Sequence, residues 1–146
     1  MRYVRSLLLV LSLFFLAVAP PGGSPAATLV LEVANIRSSQ GSLWVGIYES
    51  EEDFLNRERA RLVRHPVRST GSTRLAIDGL RVGKRYAIAV FHDENDNGEL
   101  DTNLLGLPAE PYALSRPLQS WLRKPRFDEM CFVFSPDRAL PPLRLR

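Results

Sequence analysis

Apolar residues recur at every second position along much of the chain, which is the period of a half-buried β-strand. In the segment 28–36, Leu29, Leu31 and Val33 share one face, and the segment 43–48 alternates in the same way. A short turn containing glycine separates the two segments. The pattern therefore predicts that strands one and two form a hairpin.

Further strands are predicted in the second half of the chain. Residues 72–77 alternate, and residues 78–83 are predicted to connect them to the segment 86–91. The continuous apolar character of that segment favours a central strand that is covered on both faces. Residues 127–134 and 140–145 are predicted as the last two strands, and the prolines of the second place it at a sheet edge.

The remaining segments carry weaker signals. Ser50 followed by three acids predicts the start of a short helix, since a Ser cap and early acids suit a helix N-terminus. The arginine-rich stretch 57–68 is predicted to be a solvated loop or an edge strand rather than an anion-binding patch. Residues 92–126 show no pattern of strand or helix, and a loop of that length is usually functional.

These elements together define the expected fold. About seven short strands, little helix and frequent turns predict an all-β chain that forms a single antiparallel sandwich, immunoglobulin-like or transthyretin-like. The spacing Leu80-x-x-Gly83-x-x-Tyr86 resembles the corner of immunoglobulin-like sandwiches, in which a tyrosine hydroxyl bonds back to the preceding loop.

The N-terminal segment has the layout of a targeting signal. A positively charged start, an apolar run over residues 6–19 and a small-residue stretch indicate a cleavable secretory signal peptide at residues 1–26. The apolar run is shorter than the roughly 20 residues that span a bilayer. We expect cleavage after Ala26 or Ala27, which leaves one domain at 27–146. The chain is then periplasmic or extracellular in a bacterium, and it meets a membrane only through the signal peptide during export.

Charge and cysteine content narrow the function classes. The chain has 19 Lys and Arg against 16 Asp and Glu, and two of the arginines lie in the predicted signal peptide. A nearly neutral mature chain gives no electrostatic reason to expect nucleic acid as a partner. Cys131 is the single cysteine, which excludes an intramolecular disulfide, and its apolar neighbours predict a buried strand residue.

Chemistry is concentrated in the segment 92–103, directly after the predicted central strand. Oxygen-bearing side chains stand at alternate positions before a glycine, which matches the first part of the calcium loop D-x-[DN]-x-[DN]-G. The predicted ligands of a Ca²⁺ ion are Asp93, Asn95, Asn97, the carbonyl group of Glu99, and Asp101. The alternative is a solvated acidic turn, since Asn, Asp and Gly are also common turn residues.

The loop departs from an EF-hand at its end. Leu104 occupies the position of the bidentate Glu, and no helices are predicted on either side. The missing ligand is expected from Asn103, Glu110, Asp53 or water. His92 adjoins the loop at the strand end, where it is predicted to be a hydrogen-bonding residue behind the ligands or a surface residue.

Three motifs together resemble a known family. They are the run 86–103 with D-x-N-x-N-G-x-x-D-x-N, the run 106–112 with G-x-P-x-E, and Pro125-Arg-Phe127 before the penultimate predicted strand. They are similar to a family of exported bacterial proteins classed as a domain of unknown function, over most of residues 28–146. The resemblance implies a small β-sandwich and a cation loop at Asp93, Asn95, Asn97 and Asp101. It implies no activity.

The first functional hypothesis is a non-enzymatic binding or structural module. A cation that replaces charge repulsion with coordination would order the long loop, and ordered loops at sandwich ends are common binding sites. Gly106, Pro108 and Tyr112 would form a contact surface beside it, to which Trp121 is a further candidate. The partner is an unknown protein, glycan or envelope component.

Two alternatives stay open. One is a carbohydrate or small-ligand binding module that uses exposed aromatic rings such as Tyr112 and Trp121, although Trp121 also fits a core plug. The other is a metal-assisted hydrolase that uses the clustered acids or His92, with Asp101 and Glu110 as a conceivable carboxylate pair. The chain has only two histidines and no G-x-S-x-G motif, which disfavours an enzyme.

Overall fold

The computed structural model describes residues 23–120 and 123–146. Within these ranges, a short 3₁₀ turn spans Arg57–Arg59 and a one-turn helix, α1, spans Phe127–Met130. The strands are β1 (Ala26–Ile36), β2 (Ser42–Tyr48), β3 (Arg61–Pro66), β4 (Gly71–Arg81), β5 (Arg85–Asp93), β6 (Tyr112–Leu114), β7 (Phe132–Val133) and β8 (Leu143–Arg144). They form one sheet in the order β4-β1-β8 and another in the order β3-β2-β5-β6, with β7 also paired to β5.

The two sheets bury one shared apolar core. The alternating residues of β1 and β2 that were predicted to share a face are buried in it, Leu31, Val33 and Val45 completely. Ile88 of β5 and Phe134 fill the same layer. The predicted all-β sandwich is therefore confirmed.

The predicted hairpin of strands one and two is wrong. β1 pairs antiparallel with β4, with Leu31 opposite Leu75, and parallel with β8, whereas β2 pairs with β3 and β5. Both segments do turn an apolar face to the core, but they do so from opposite sheets. Alternation reveals which face of a strand is buried and not which strand lies beside it. The parallel pairing of β1 with β8 also means that the sandwich is not antiparallel throughout.

The strand predicted over residues 127–134 is interrupted by a helix. Phe127 and Met130 are three positions apart, so one turn of helix places both on the same buried face. The Glu129 carboxylate accepts the backbone N–H of Arg126 at 3.0 Å and caps the start of the turn. Cys131 follows the helix as a buried cap residue, so the prediction of burial is confirmed and that of a strand position is wrong.

Three shorter segments also differ from the sequence-based expectation. Within 92–126, β6 adds a three-residue strand that is too short to show a period. β4 continues through residues 78–81, which were predicted as a connection. Residues 51–55 form a turn instead of a helix, although Ser50 Oγ does accept the N–H of Asp53 at 3.3 Å.

The central strand behaves as predicted. One face of β5 contributes Tyr86, Ile88 and Val90 to the shared core, and the other face carries Ala87 into a second cluster with Tyr48 and α1. β5 pairs with β2, β6 and β7, which is more partners than any other described strand of its sheet has. The arginine-rich stretch supplies β3 as the edge strand, and β8 lies at the edge of the other sheet, both as predicted.

The predicted tyrosine corner is present. Tyr86 is buried, and its hydroxyl oxygen accepts the backbone N–H of Arg81 at 2.9 Å. Its ring meets Phe134 edge to face at a centroid distance of 6.5 Å. This bond ties the end of β4 to the start of β5, and thereby links the two sheets.

Most of the predicted signal peptide lies outside the described residues. Ala26 begins β1, and the carbonyl of Pro25 accepts the N–H of Val82 at 2.9 Å. In residues 23–120 and 123–146, no helix is long and apolar enough to cross a membrane.

Replacing Tyr86 by Phe should lower the free energy of unfolding by about 1 kcal/mol, because the Arg81 N–H loses its acceptor. Tyr112→Phe is the matched control, since the Tyr112 hydroxyl has no hydrogen-bond partner among the described residues. Urea unfolding of the two variants measures the difference. Equal stability of both variants would show that the corner bond contributes nothing.

Candidate functional site

The acidic loop, residues 93–103, begins with a buried carboxylate. Asp93 ends β5 and is 0% exposed. Its Oδ2 accepts the N–H of Gly98 at 2.8 Å and the indole N–H of Trp44 at 3.0 Å, and its Oδ1 accepts the N–H of Asn97 at 3.1 Å. The chain therefore turns back onto the end of its own strand. Asp93 holds that turn together.

Two asparagine turns shape the rest of the loop. Asn95 Oδ1 accepts the N–H of Asn97 at 3.0 Å, and Asn97 Oδ1 accepts the N–H of Glu99 at 2.7 Å. The amide nitrogens of both asparagines donate to the Asp101 carboxylate, with shortest distances of 2.7 and 3.1 Å. The predicted ligand side chains at Asp93, Asn95, Asn97 and Asp101 are thus linked in one network.

Glu110 joins the two ends of the loop. Its Oε1 accepts the N–H of Glu94 at 3.2 Å, and its Oε2 accepts the N–H of Asp101 at 3.1 Å. Burial raises the pKa of this carboxyl group above its usual value, and the charges of Asp93 and Asp101 raise it further, while the two backbone bonds oppose the shift. Glu110 binds the backbone N–H of Asp101 and not its carboxylate, so its role is to stabilise the conformation of the loop.

The other two candidate ligands lie apart from this network. Asn103 Oδ1 accepts the N–H groups of Leu105 and Leu107 at 2.9 and 3.1 Å, so it organises the hairpin that follows. Asp53 is bonded to Ser50 Oγ at 2.8 Å and to Arg59 at 3.4 Å. Its carboxylate is engaged within its own turn.

The hairpin presents leucines to solvent. Thr102 bridges to Pro108 in antiparallel fashion, which closes a small hairpin with Gly106 near its tip. Leu104 is fully exposed, and Leu105 and Leu107 are 83% and 55% exposed. Sequence reasoning named Gly106 and Pro108 here and missed the leucines, although two adjacent leucines inside a polar turn were a visible signal.

Two arginines brace the acidic loop from outside. The guanidinium of Arg57 lies 4.8 Å above the Trp44 ring and donates to the carbonyl of Gly98. Arg64 of β3 binds both oxygens of Asp96 at 2.6 and 2.7 Å. Hydrogen bonds from Arg64 and then from Ser42 hold the pKa of Asp96 below its usual value. The arginine-rich stretch thus acts on the loop, a role that its sequence pattern did not reveal.

His92 supports the loop from the interior. It is completely buried, and its Nε2 lies 2.8 Å from the carbonyl of Gln40, which can only accept, so Nε2 carries the proton. Its Nδ1 lies 3.6 Å from Glu94 Oε1 and has no hydrogen-bond partner among the described residues. Gly41, next along that turn, packs directly against the backbone carbonyl of Asp93.

The donor atoms of the loop are of mixed type. Over residues 23–120 and 123–146, no three His, Cys, Asp or Glu side chains are grouped so that they could hold a metal ion by themselves. The network joins two carboxylates and two amide side chains, and the amides face Asp101 with their nitrogens while their oxygens accept backbone N–H groups. The Glu99 carbonyl adds a fifth oxygen by sequence position. A cation here would depend on the amide and carbonyl oxygens as much as on charge.

Of the remaining predicted surface residues, Tyr112 is described and Trp121 is not. Tyr112 begins β6 opposite Phe91, and the guanidinium of Arg146 lies 5.3 Å above its ring. Trp121 lies outside the described residues. The predicted use of Tyr112 and Trp121 as a shared binding surface therefore stays a prediction.

Fold and site together define a small β-sandwich with an acidic, asparagine-rich loop at the end of its central strand. The family model described as "uncharacterized protein conserved in bacteria (DUF2141)" matches residues 31–139. The chain therefore belongs to this family, and the predicted membership in a bacterial family of unknown function is confirmed. No curated protein and no solved structure matches it. The matched range contains the loop, the hairpin and both bracing arginines.

Replacing Gly41 by Ala should destabilise the loop more than Gly83→Ala does. Both glycines have positive φ, 72° and 81°, so a Cβ strains either backbone by about 1–2 kcal/mol. Only at Gly41 would the Cβ also collide with the Asp93 carbonyl, whereas Gly83 faces open space. Urea unfolding and amide exchange at residues 93–98 test this. Equal losses in both variants would show that the contact with Asp93 is unimportant.

Glu110→Ala should lower the free energy of unfolding by about 1–3 kcal/mol, because the N–H groups of Glu94 and Asp101 lose their acceptors. Glu110→Gln should cost less, since its amide oxygen keeps one acceptor and the charge beside Asp93 and Asp101 is removed. Amide exchange at residues 94 and 101 separates the variants. Unchanged protection in Glu110→Ala would contradict the cross-linking role.

Proposed function

We propose that this protein is an exported, non-enzymatic binding module of bacteria, periplasmic or extracellular, in which Ca²⁺ rigidifies the acidic loop. The observation that carries the proposal is the convergence of Asp93, Asn95, Asn97 and Asp101 in one hydrogen-bonded network. Alternate oxygen side chains in a tight turn suit a hard cation. The hairpin at residues 101–109 then presents its leucines to a partner.

The network keeps lone pairs available for a cation. A carboxylate offers about four acceptor sites, and Asp93 uses three of them, two on Oδ2 and one on Oδ1. Asn95 and Asn97 each use one acceptor site of their amide oxygens. Among the described residues, the Asp101 oxygens accept only from those two amide groups. Rotation of the amides, at the expense of the bonds that their oxygens now accept, would free Asp101 and turn the amide oxygens toward a cation. With the Glu99 carbonyl, five protein oxygens are present, and water would complete the six to eight that Ca²⁺ takes.

Electrostatics favour the same occupant. Asp93, Glu94, Glu99 and Asp101 lie within nine residues, and the segment 91–115 contains no Lys or Arg. Arg64 is paired with Asp96, so it compensates only part of this charge. A divalent cation would relieve the repulsion that remains. With two carboxylate ligands, we expect an affinity on the order of 10⁻⁴ to 10⁻³ M, as in extracellular calcium modules.

The hairpin is the proposed contact surface. Asn103 and the Thr102–Pro108 bridge order it, while Leu104 and Leu105 remain exposed. Exposed apolar residues on an ordered tip favour an apolar groove of a protein or envelope component over a glycan. Ordering of residues 93–101 by Ca²⁺ would reduce the entropy cost of that contact.

A calcium titration of thermal stability tests the proposal. The exported protein, expressed from its full-length sequence and stripped with chelator, should gain about 2.7 kcal/mol at 100 times the dissociation constant. Asp101→Asn should raise the dissociation constant for Ca²⁺, obtained from this titration, at least tenfold. Asp93→Ala is unsuitable, because it also removes the partner of Trp44 and Gly98. The mass of the exported chain locates the signal cleavage site in the same preparation.

Asp96→Asn is the matched control for this titration. It removes an equal charge from the same loop, but its carboxylate is held by Arg64 and Ser42, away from the proposed ligands. We expect it to lower basal stability and to keep the calcium response. Absence of any shift up to about 10 mM Ca²⁺, or equal shifts in Asp101→Asn and the native chain, would show that hydrogen bonds alone maintain the loop.

A further inference from the structure

A second concave site lies away from the acidic loop. An open cavity of about 920 Å³ lies between β6 with the residues that follow it, β7, and the C-terminal segment 138–146. None of the residues 92–103 lines it. Its volume is within the range of roughly 300–1,000 Å³ that is typical of small-molecule sites.

The floor of the cavity is apolar. Phe132, Phe134 and Leu143 line it and are almost completely buried, and Leu140 packs against the same core. Along the C-terminal segment, buried leucines alternate with exposed arginines. Arg144 and Arg146 also line the cavity, so the C-terminal segment supplies both apolar surface, through Leu143, and exposed positive charge.

The rim carries an excess of positive charge. Four arginines line the cavity, and they are Arg116, Arg138, Arg144 and Arg146. Among the lining side chains of the described ranges, Glu129 is the single carboxylate, and it is already bound by Arg123 at 2.9 Å and approached by Arg126 at 3.6 Å. These contacts lower the pKa of Glu129 to about 2, so its carboxylate stays ionised at neutral pH and its charge is neutralised by Arg123. The side chains of Arg116, Arg138 and Arg144 form no ion pair with the described residues.

We propose that this cavity binds an amphipathic anion, with its phosphate or carboxylate group held by Arg116, Arg138 and Arg144 and its apolar body on the Phe132 and Leu140 floor. Guanidinium groups match the geometry of phosphate and carboxylate oxygens in paired hydrogen bonds. Arginine stems also cover apolar surface, which suits a ligand that is charged only at one end. The site is independent of the cation loop, so it goes beyond the proposed function.

Isothermal titration in chelator with octyl phosphate as the probe tests the site. We expect saturable binding with one molecule per chain. Octanol has the apolar chain without the anionic group, and inorganic phosphate has the anionic group without the chain. Each should bind at least tenfold more weakly than octyl phosphate. Equal binding of octanol, or no binding of octyl phosphate, would overturn the proposal.

Charge-matched variants locate the binding. The triple variant Arg116→Gln/Arg138→Gln/Arg144→Gln should lose at least tenfold in affinity for octyl phosphate. The control Arg37→Gln/Arg68→Gln/Arg81→Gln removes the same charge from exposed positions outside the cavity and should bind as the native chain does. All six side chains are exposed, so both variants should fold, which a thermal melt verifies. An equal loss of affinity in the triple variant and in the control would show that binding depends only on net charge, and this would overturn the proposal.

Competition with vesicles identifies the source of the anion. Displacement of octyl phosphate by phosphatidylglycerol vesicles, and not by phosphatidylcholine vesicles, would identify a lipid head group. No displacement by either would identify a soluble amphiphile. Equal displacement by both would overturn the requirement for an anion. The calcium response of the triple variant should equal that of the native chain, which keeps failure of this site distinguishable from failure of the loop.

Discussion

Burial of the Asp93 carboxylate at the end of β5 is the constraint on which the site depends. A buried carboxylate must be bonded by nearby donors, and here they are two backbone N–H groups of its own loop and the indole of Trp44. If the loop moved away from the strand end, the buried carboxylate would lose these donors, which is unfavourable in free energy. Because β5 pairs with three other strands, the loop begins at a strand end that the sheet holds in place.

The segments that carry the site come from distant parts of the sequence. Arg64 of β3 reaches Asp96, Arg57 reaches Gly98, and Glu110 closes the loop from beyond the hairpin. Each bond crosses between elements that the sheet order brings together. One of these bonds, from Arg64 to Asp96, joins opposite charges and offsets part of the repulsion within the acidic loop. A cation would complete the same task from inside the loop.

The sequence was informative where chemistry is local. The faces of β1 and β2, the central position of β5, the corner bond of Tyr86 and the clustering of the loop residues all follow from short-range pattern. Strand pairing did not follow, because β1 and β2 have the same pattern in different sheets. The bracing role of Arg64 was hidden for the same reason, since it depends on the pairing of β3, which alternation does not encode. Arg57 lies in a 3₁₀ turn, and its approach to Gly98 follows from the tertiary fold and not from a local pattern.

Net charge concealed a second feature of the molecule. The 19 basic and 16 acidic residues nearly cancel, yet the acids of the segment 91–115 and the arginines of the C-terminal cavity lie in different places. Cancellation in the sum does not cancel the local field, because at physiological ionic strength charges farther apart than about 8 Å are largely screened from one another. A nearly neutral chain can therefore offer one site for cations and another for anions. Because the loop and the cavity share no side chain, the two proposed sites would select their ligands independently.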